Sequence, residues 1–170
     1  MELTTVADDE VVFHDGLTAI RYPGLEPDTT HRLEGEDIRT LPRFGERLAT
    51  ICTANDVHFG ETECGVLEGF DDGPIFYSDP DDEPYPRMMN RHAVDEMRAL
   101  DPDAVVVKGD LTTRGTREEY QQFVDTYGVL GDRLHQIRGN HDAYGGETFA
   151  ADAPRTVDLP GVTLAIVDST

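Results

Sequence analysis

The stretch Ala104-Val105-Val106-Val107-Lys108-Gly109-Asp110 decides how the rest of the chain reads. Four apolar residues run without alternation, then a glycine and an acid follow. This predicts a strand over Ala104–Val107 covered on both faces, as in a parallel sheet. Working outward, two more strands end in the same way. Leu48–Asn55 reads as a strand ending at Asp56-Val57-His58, and Leu134–Ile137 as a short strand ending at Gly139-Asn140-His141-Asp142. Val162–Val167 is a fourth predicted strand. Helices separate them. One spans about Arg87–Leu100, with Met89, Ala93, Met97 and Leu100 on one face and Asp101-Pro102 as its stop. Another starts at the capping box Thr116-Arg117-Glu118-Glu119, with Tyr120, Phe123, Val124 and Tyr127 as its inner stripe. Strands alternating with helices predict an α/β domain over 46–170.

Composition narrows the function classes. The chain has 170 residues, 35 Asp+Glu against 14 Lys+Arg, and a formal net charge of −21. A surface of that sign repels nucleic-acid backbone and anionic membrane. Hydrophobic content of 38% is enough for a packed core rather than wholesale disorder. No stretch approaches the roughly 18 apolar residues of a membrane span, and residues 1–20 carry no apolar leader. A cytoplasmic location is expected. Cys52 and Cys64 do not have metal-ligand spacing; Cys52 reads as a core thiol and Cys64 as incidental. Residues 61–86 hold nine acids and no base, with no periodicity. A loop of that length is either a lid over a site or a solvated insertion.

Three polar clusters at the carboxyl ends of three strands define a candidate site, because ligands of open α/β sheets bind at that edge. Asp56 and His58, two residues apart just past a strand, can grip one ion. Asp110 has two oxygens and can bridge two ions. Asn140 offers a neutral amide oxygen. These are ligands for Mn, Fe, Zn or Mg. The bland alternative is a set of turn residues, with Asp56 and Asn140 making Asx turns.

Asp-x-His, then Gly-Asp, then Gly-Asn-His-Asp, in that order and each after a strand, resembles the calcineurin-like metallophosphoesterase superfamily. Leu164-Ala165-Ile166-Val167-Asp168 resembles the following strand in its cyclic-nucleotide phosphodiesterase-like branch. The resemblance covers about 48–170. It implies a layered α/β/β/α fold and two divalent metal ions. It implies Asp56, His58, Asp110 and Asn140 as metal ligands, with Asp110 bridging. His141 is implied as a catalytic group beside the leaving oxygen, and Asp142 as the acceptor of its ring proton. Asp142 could instead, or as well, cap a helix. The implied reaction is hydrolysis of a phosphodiester or phosphomonoester by metal-bound hydroxide. The implied partner is a small phosphorylated molecule, such as a nucleotide; a nucleic-acid polymer or a membrane is not expected.

The resemblance also implies a later His and a Gly-His-x-His motif. No histidine follows His141, and those besides His58 and His141 are His14, His31, His92 and His135. The domain is therefore expected to be truncated, the N-terminal part of a longer one. A catalytically incomplete fragment or a non-catalytic scaffold is the alternative function. Arg138 stands where relatives often carry Pro, and Arg114 reads as a solvated residue at the helix start.

Residues 1–45 read as a short β-rich segment. Gly24-Leu25-Glu26-Pro27-Asp28-Thr29-Thr30-His31 resembles the corner of a fibronectin-III-like sandwich, with His31 in place of the usual Tyr. A fibronectin-III-like remnant and a simple hairpin are both compatible with it.

Overall fold

Ala104–Val107 is buried along its whole length, at 0–9% exposure, and its strand is the middle of a parallel sheet. The computed structural model describes residues 1–16, 18–65 and 76–168. They fall into two compact units, Met1–Arg47 and Leu48–Thr170.

The first unit is all β. Strands β1 (Glu2–Val6), β2 (Glu10–Asp15) and β3 (Thr18–Pro23) form an antiparallel sheet in sequence order. Strands β4 (Thr30–Leu33) and β5 (Glu36–Arg39) form a hairpin. Val11, Phe13 and Ile38 are its core. At residues 24–31 a histidine reaches back to the main chain. His31 Nε2 lies 3.1 Å from the Glu26 carbonyl, the backward bond to the main chain that a tyrosine hydroxyl makes at such corners. Thr40 is buried beside it and donates to the Glu26 carbonyl at 2.6 Å.

The second unit carries the predicted alternation. Strands β6 (Ile51–Ala54), β9 (Ala104–Lys108) and β10 (Leu134–Ile137) pair in parallel in the order β10-β9-β6. Helix α1 (Tyr85–Ala99) connects β6 to β9, and α2 (Arg117–Tyr127), with a 3₁₀ turn at Gly128–Arg133, connects β9 to β10. The Thr116–Glu119 capping box forms at the start of α2. Strands β11 (Arg155–Leu159) and β12 (Val162–Ile166) make a separate antiparallel ribbon. Thus the strand expected over Val162–Val167 forms at Val162–Ile166, but it pairs with its hairpin partner and not with the parallel sheet.

Two helix faces differ from the apolar reading. The buried side of α1 is Pro86, Asn90, Val94 and Met97, while Met89 and Leu100 are exposed. The shift turns on Asn90. Its amide donates to the carbonyls of Val57 and Pro86, and its oxygen accepts from the Tyr127 hydroxyl at 2.7 Å. A fully bonded amide sits inside without the cost of an unmet polar group. On α2, Phe123 and Tyr127 are buried as expected, but Glu119 replaces Val124 on the inner side. Its carboxylate accepts from the backbone N–H groups of Arg114 and Thr116.

The acidic loop is not wholly irregular. Strands β7 (Glu63–Cys64) and β8 (Phe76–Tyr77) pair across it. Residues 66–75, on which the lid reading depends, lie outside the described residues. No helix among the described residues is long and apolar enough to cross a membrane.

Candidate metal centre

The site is built where β6, β9 and β10 end. The loop after β6 continues alongside the loop after β9. His58 N–H donates to the Asp110 carbonyl, Phe59 N–H to Leu111, and Thr113 N–H to Phe59, each at 3.0 Å. Phe59 and Leu111 are fully buried, which pins these loops to the core. Three of the candidate residues adopt a left-handed backbone: Asp56 at φ 53°, His58 at φ 44° and Asp110 at φ 46°. Such conformations are uncommon outside glycine and gather at functional sites.

Glycines set the spacing between β9 and β10. A Cβ on Gly139 would overlap the backbone nitrogen and Oδ1 of Asp110. A Cβ on Gly109 would meet the Gly139 backbone at 3.2 Å. The two strand ends therefore touch main chain to main chain, bringing the Asp110 carboxylate against the turn that carries Asn140 and His141. His141 N–H donates to Asp110 Oδ1 at 3.0 Å.

The resulting cluster is His58, Asp110 and His141, with one donor atom from each lying within 4.8 Å of the others. His58 Nε2 stands 3.8 Å from Asp110 Oδ2. That is too long for a hydrogen bond. It suits two ligands of one ion, since bonds of about 2.0–2.2 Å place donors about 3–4 Å apart. The rings of His58 and His141 meet edge to face with centroids 4.7 Å apart. His58 Nδ1 is buried with no hydrogen-bond partner in the protein. His58 is half-buried, and its Nε2, facing the Asp110 carboxylate, is the atom placed to meet an ion.

The remaining residues surround this cluster. Asp56, Asp110 and Asn140 share a cavity of about 340 Å³ with Lys108 and Arg138. The Asn140 amide donates to the Tyr144 hydroxyl at 2.8 Å, an assignment that leaves its oxygen available as a ligand. Asp56 is exposed and is not a member of the three-residue cluster. It reaches a second cavity of about 270 Å³ with His58, Glu61, Tyr85 and Met89. The Tyr85 hydroxyl bonds Glu61 there, and burial together with that carboxylate pushes the phenol well above its usual range.

Asp142 differs from the expected arrangement. It does not accept the ring proton of His141; that bond goes to the Thr113 carbonyl, 2.8 Å from His141 Nδ1. The Asp142 carboxylate is fully buried and already occupied. It accepts from the backbone N–H of Leu111, Thr112 and Gly139 and from the Thr112 hydroxyl, at 2.6–3.1 Å. It holds the loop after β9 to the turn after β10, and its bond to Gly139 is a bond at the start of a short helix, α3 (Asn140–Ala143). Thr113, which sets the orientation of His141, carries no sequence signal because its carbonyl makes the contact. His92 is on the surface, and Arg114 is exposed. The pKa of the partly buried His135 is lowered by burial and by nearby Arg155.

A parallel sheet with histidine, carboxylate and amide groups gathered at its carboxyl edge offers them where open α/β domains bind their ligands. Residues 49–162 match the family model of the calcineurin-like phosphoesterases, and the chain belongs to that family. It is also similar to an Arcobacter nitrofigilis protein named "Probable glycerophosphodiester phosphodiesterase GpdQ", with 46% identity over 41 residues. That match covers 24% of this chain and 15% of the relative.

Proposed function

We propose that the protein is a metal-dependent phosphoesterase whose site lies at the carboxyl ends of β6, β9 and β10. The observation that carries the reading is the convergence of His58, Asp110 and His141 within 4.8 Å, the first two on left-handed turns and the third on α3. Asp56, His58, Asp110 and Asn140 would hold two divalent ions, with Asp110 between them. Such ions supply charge neutralisation at the phosphoryl group and a hydroxide nucleophile at neutral pH. The chain's own residues do the rest. Asp110 is fixed by the His141 N–H, so one oxygen is spent inside and the other faces His58. The Thr113 carbonyl can only accept, so His141 carries its proton on Nδ1 and presents Nε2 to the site. In its protonated form that Nε2–H donates to the departing alcohol oxygen.

The proposed substrate is a small phosphoester, mono or diester, and a nucleotide is one such class. The proposed domain is the N-terminal part of a layered α/β/β/α fold, following a separate β-rich segment over 1–45. The proposed location is the cytoplasm.

Hydrolysis of p-nitrophenyl phosphate and bis(p-nitrophenyl) phosphate, each with Mn²⁺ and with chelator, tests the reading. Turnover lost on chelation and restored by Mn²⁺ is expected. One observation favours a second reading, a chain incomplete as a catalyst: Asp56 stands outside the three-donor cluster. Elemental analysis finding bound Mn²⁺ without turnover of either ester would select it.

A further inference from the structure

We propose that Lys108 and Arg138 form an anion subsite beside the metal centre that selects phosphomonoesters over phosphodiesters. The proposal rests on the phosphoesterase reading and goes on to name the substrate class.

The chain is poor in bases, and Lys108 is its single lysine. Most of its arginines are spent on acids, as in the pairs of Arg91 with Glu83, Arg117 with Glu147 and Arg133 with Asp101. Among the described residues, Lys108 and Arg138 make no ion pair. Both line the 340 Å³ cavity that holds Asp56, Asp110 and Asn140. They are neighbours at the sheet's edge, one residue out of register. Lys108 immediately precedes Gly109-Asp110, and Arg138 immediately precedes Gly139-Asn140. They stand at the ends of adjacent parallel strands, with Ile137 paired to Lys108.

Arg138 is anchored and yet unsatisfied. One amino group donates to the Glu147 carbonyl at 2.6 Å, which fixes the side chain. Its Nε–H is buried and meets no acceptor in the protein. A buried donor left open is uncommon in a folded chain. Lys108, by contrast, is exposed at the mouth of the cavity.

Charge decides the class. A phosphodiester carries one negative charge, whereas a monoester carries close to two at neutral pH. Two cations beyond the proposed metal ligands, Arg138 anchored and Lys108 exposed, match the second charge. The free non-bridging oxygens of a monoester can accept hydrogen bonds from a guanidinium. In a diester one of those oxygens is an ester oxygen and carries an organic group.

The test measures kcat/KM for p-nitrophenyl phosphate and bis(p-nitrophenyl) phosphate with Mn²⁺, and inhibition by inorganic phosphate. Lys108→Gln and Arg138→Gln should each lower the monoester-to-diester ratio about tenfold, the size of one lost charge-assisted hydrogen bond. Each should weaken phosphate inhibition by about the same factor. Lys108→Arg, which keeps the charge, should retain the ratio. If Arg138→Gln melts early by circular dichroism, the exposed Lys108 carries the test. Turnover of either ester with a ratio unchanged in Lys108→Gln overturns the subsite and leaves the phosphoesterase reading standing. Turnover of neither ester by the unmodified protein overturns both.

Discussion

Nδ1 of His141 lies 2.8 Å from the carbonyl oxygen of Thr113, so the ring is oriented by main chain from the neighbouring loop. A backbone acceptor cannot be removed by drift in side-chain identity. Replacing the ring itself isolates its role. His141→Gln is expected to lower kcat by about 10²-fold, the usual range for a lost proton donor. Metal content by elemental analysis should stay as in the unmodified protein. Loss of metal in this variant would make His141 a ligand, not a donor.

Asp142 is expected to matter for folding. It accepts four hydrogen bonds while fully buried. In Asp142→Asn one oxygen becomes an NH₂ that confronts donors, so at least one of those groups loses its acceptor. The expected cost is about 3 kcal/mol in denaturant unfolding. A loss below about 1 kcal/mol would mean that the loop relaxes and finds water.

Gly139→Ala tests the close approach of the two strand ends. The backbone there is extended, so conformation is no obstacle; space is. The new methyl would overlap Asp110. Overpacking of this kind costs about 1–3 kcal/mol, and here it displaces a proposed ligand. Mn²⁺ affinity by titration calorimetry should fall at least tenfold. An unchanged affinity would show that Asp110 is not held by this contact.

His135 gives a pH signature. Burial and Arg155 lower its pKa in the folded state. The unfolded chain therefore binds its proton first as the pH falls, near the ordinary value of 6.5. Its contribution to stability is whole above that pH and is lost as the pH falls through it to the folded value. Thermal melts at pH 7.5 and 5.5 should show a smaller drop for His135→Gln than for the unmodified protein. Equal drops would assign the acid sensitivity to other groups.

Much of this was readable in the residues. Ala104–Val107 announced a covered strand because unbroken β-branched runs have no polar face, and the structure puts it at the centre of the sheet. Asp56-Val57-His58, Gly109-Asp110 and Gly139-Asn140-His141 announced a site because each follows a strand. Asn90 and Glu119 were not readable as inner residues. The burial of Asn90 depends on a carbonyl from a distant loop, that of Val57, and the burial of Glu119 on the amides of its own capping turn. The same holds for Asp142. The family resemblance implied a partner for a histidine, with a helix cap as the alternative; its oxygens are taken by amides of the loop after β9 and by Gly139 at the start of α3.

The left-handed turns at Asp56, His58 and Asp110 have a consequence for ion exchange. The turns at His58 and Asp110 are tied to one another by main-chain bonds, His58 N–H to the Asp110 carbonyl and Phe59 N–H to that of Leu111. An arriving ion therefore finds donors whose freedom is already gone, and its capture orders little of the chain. Selection among ions at such a rim falls to radius and preferred geometry more than to how far a loop can stretch.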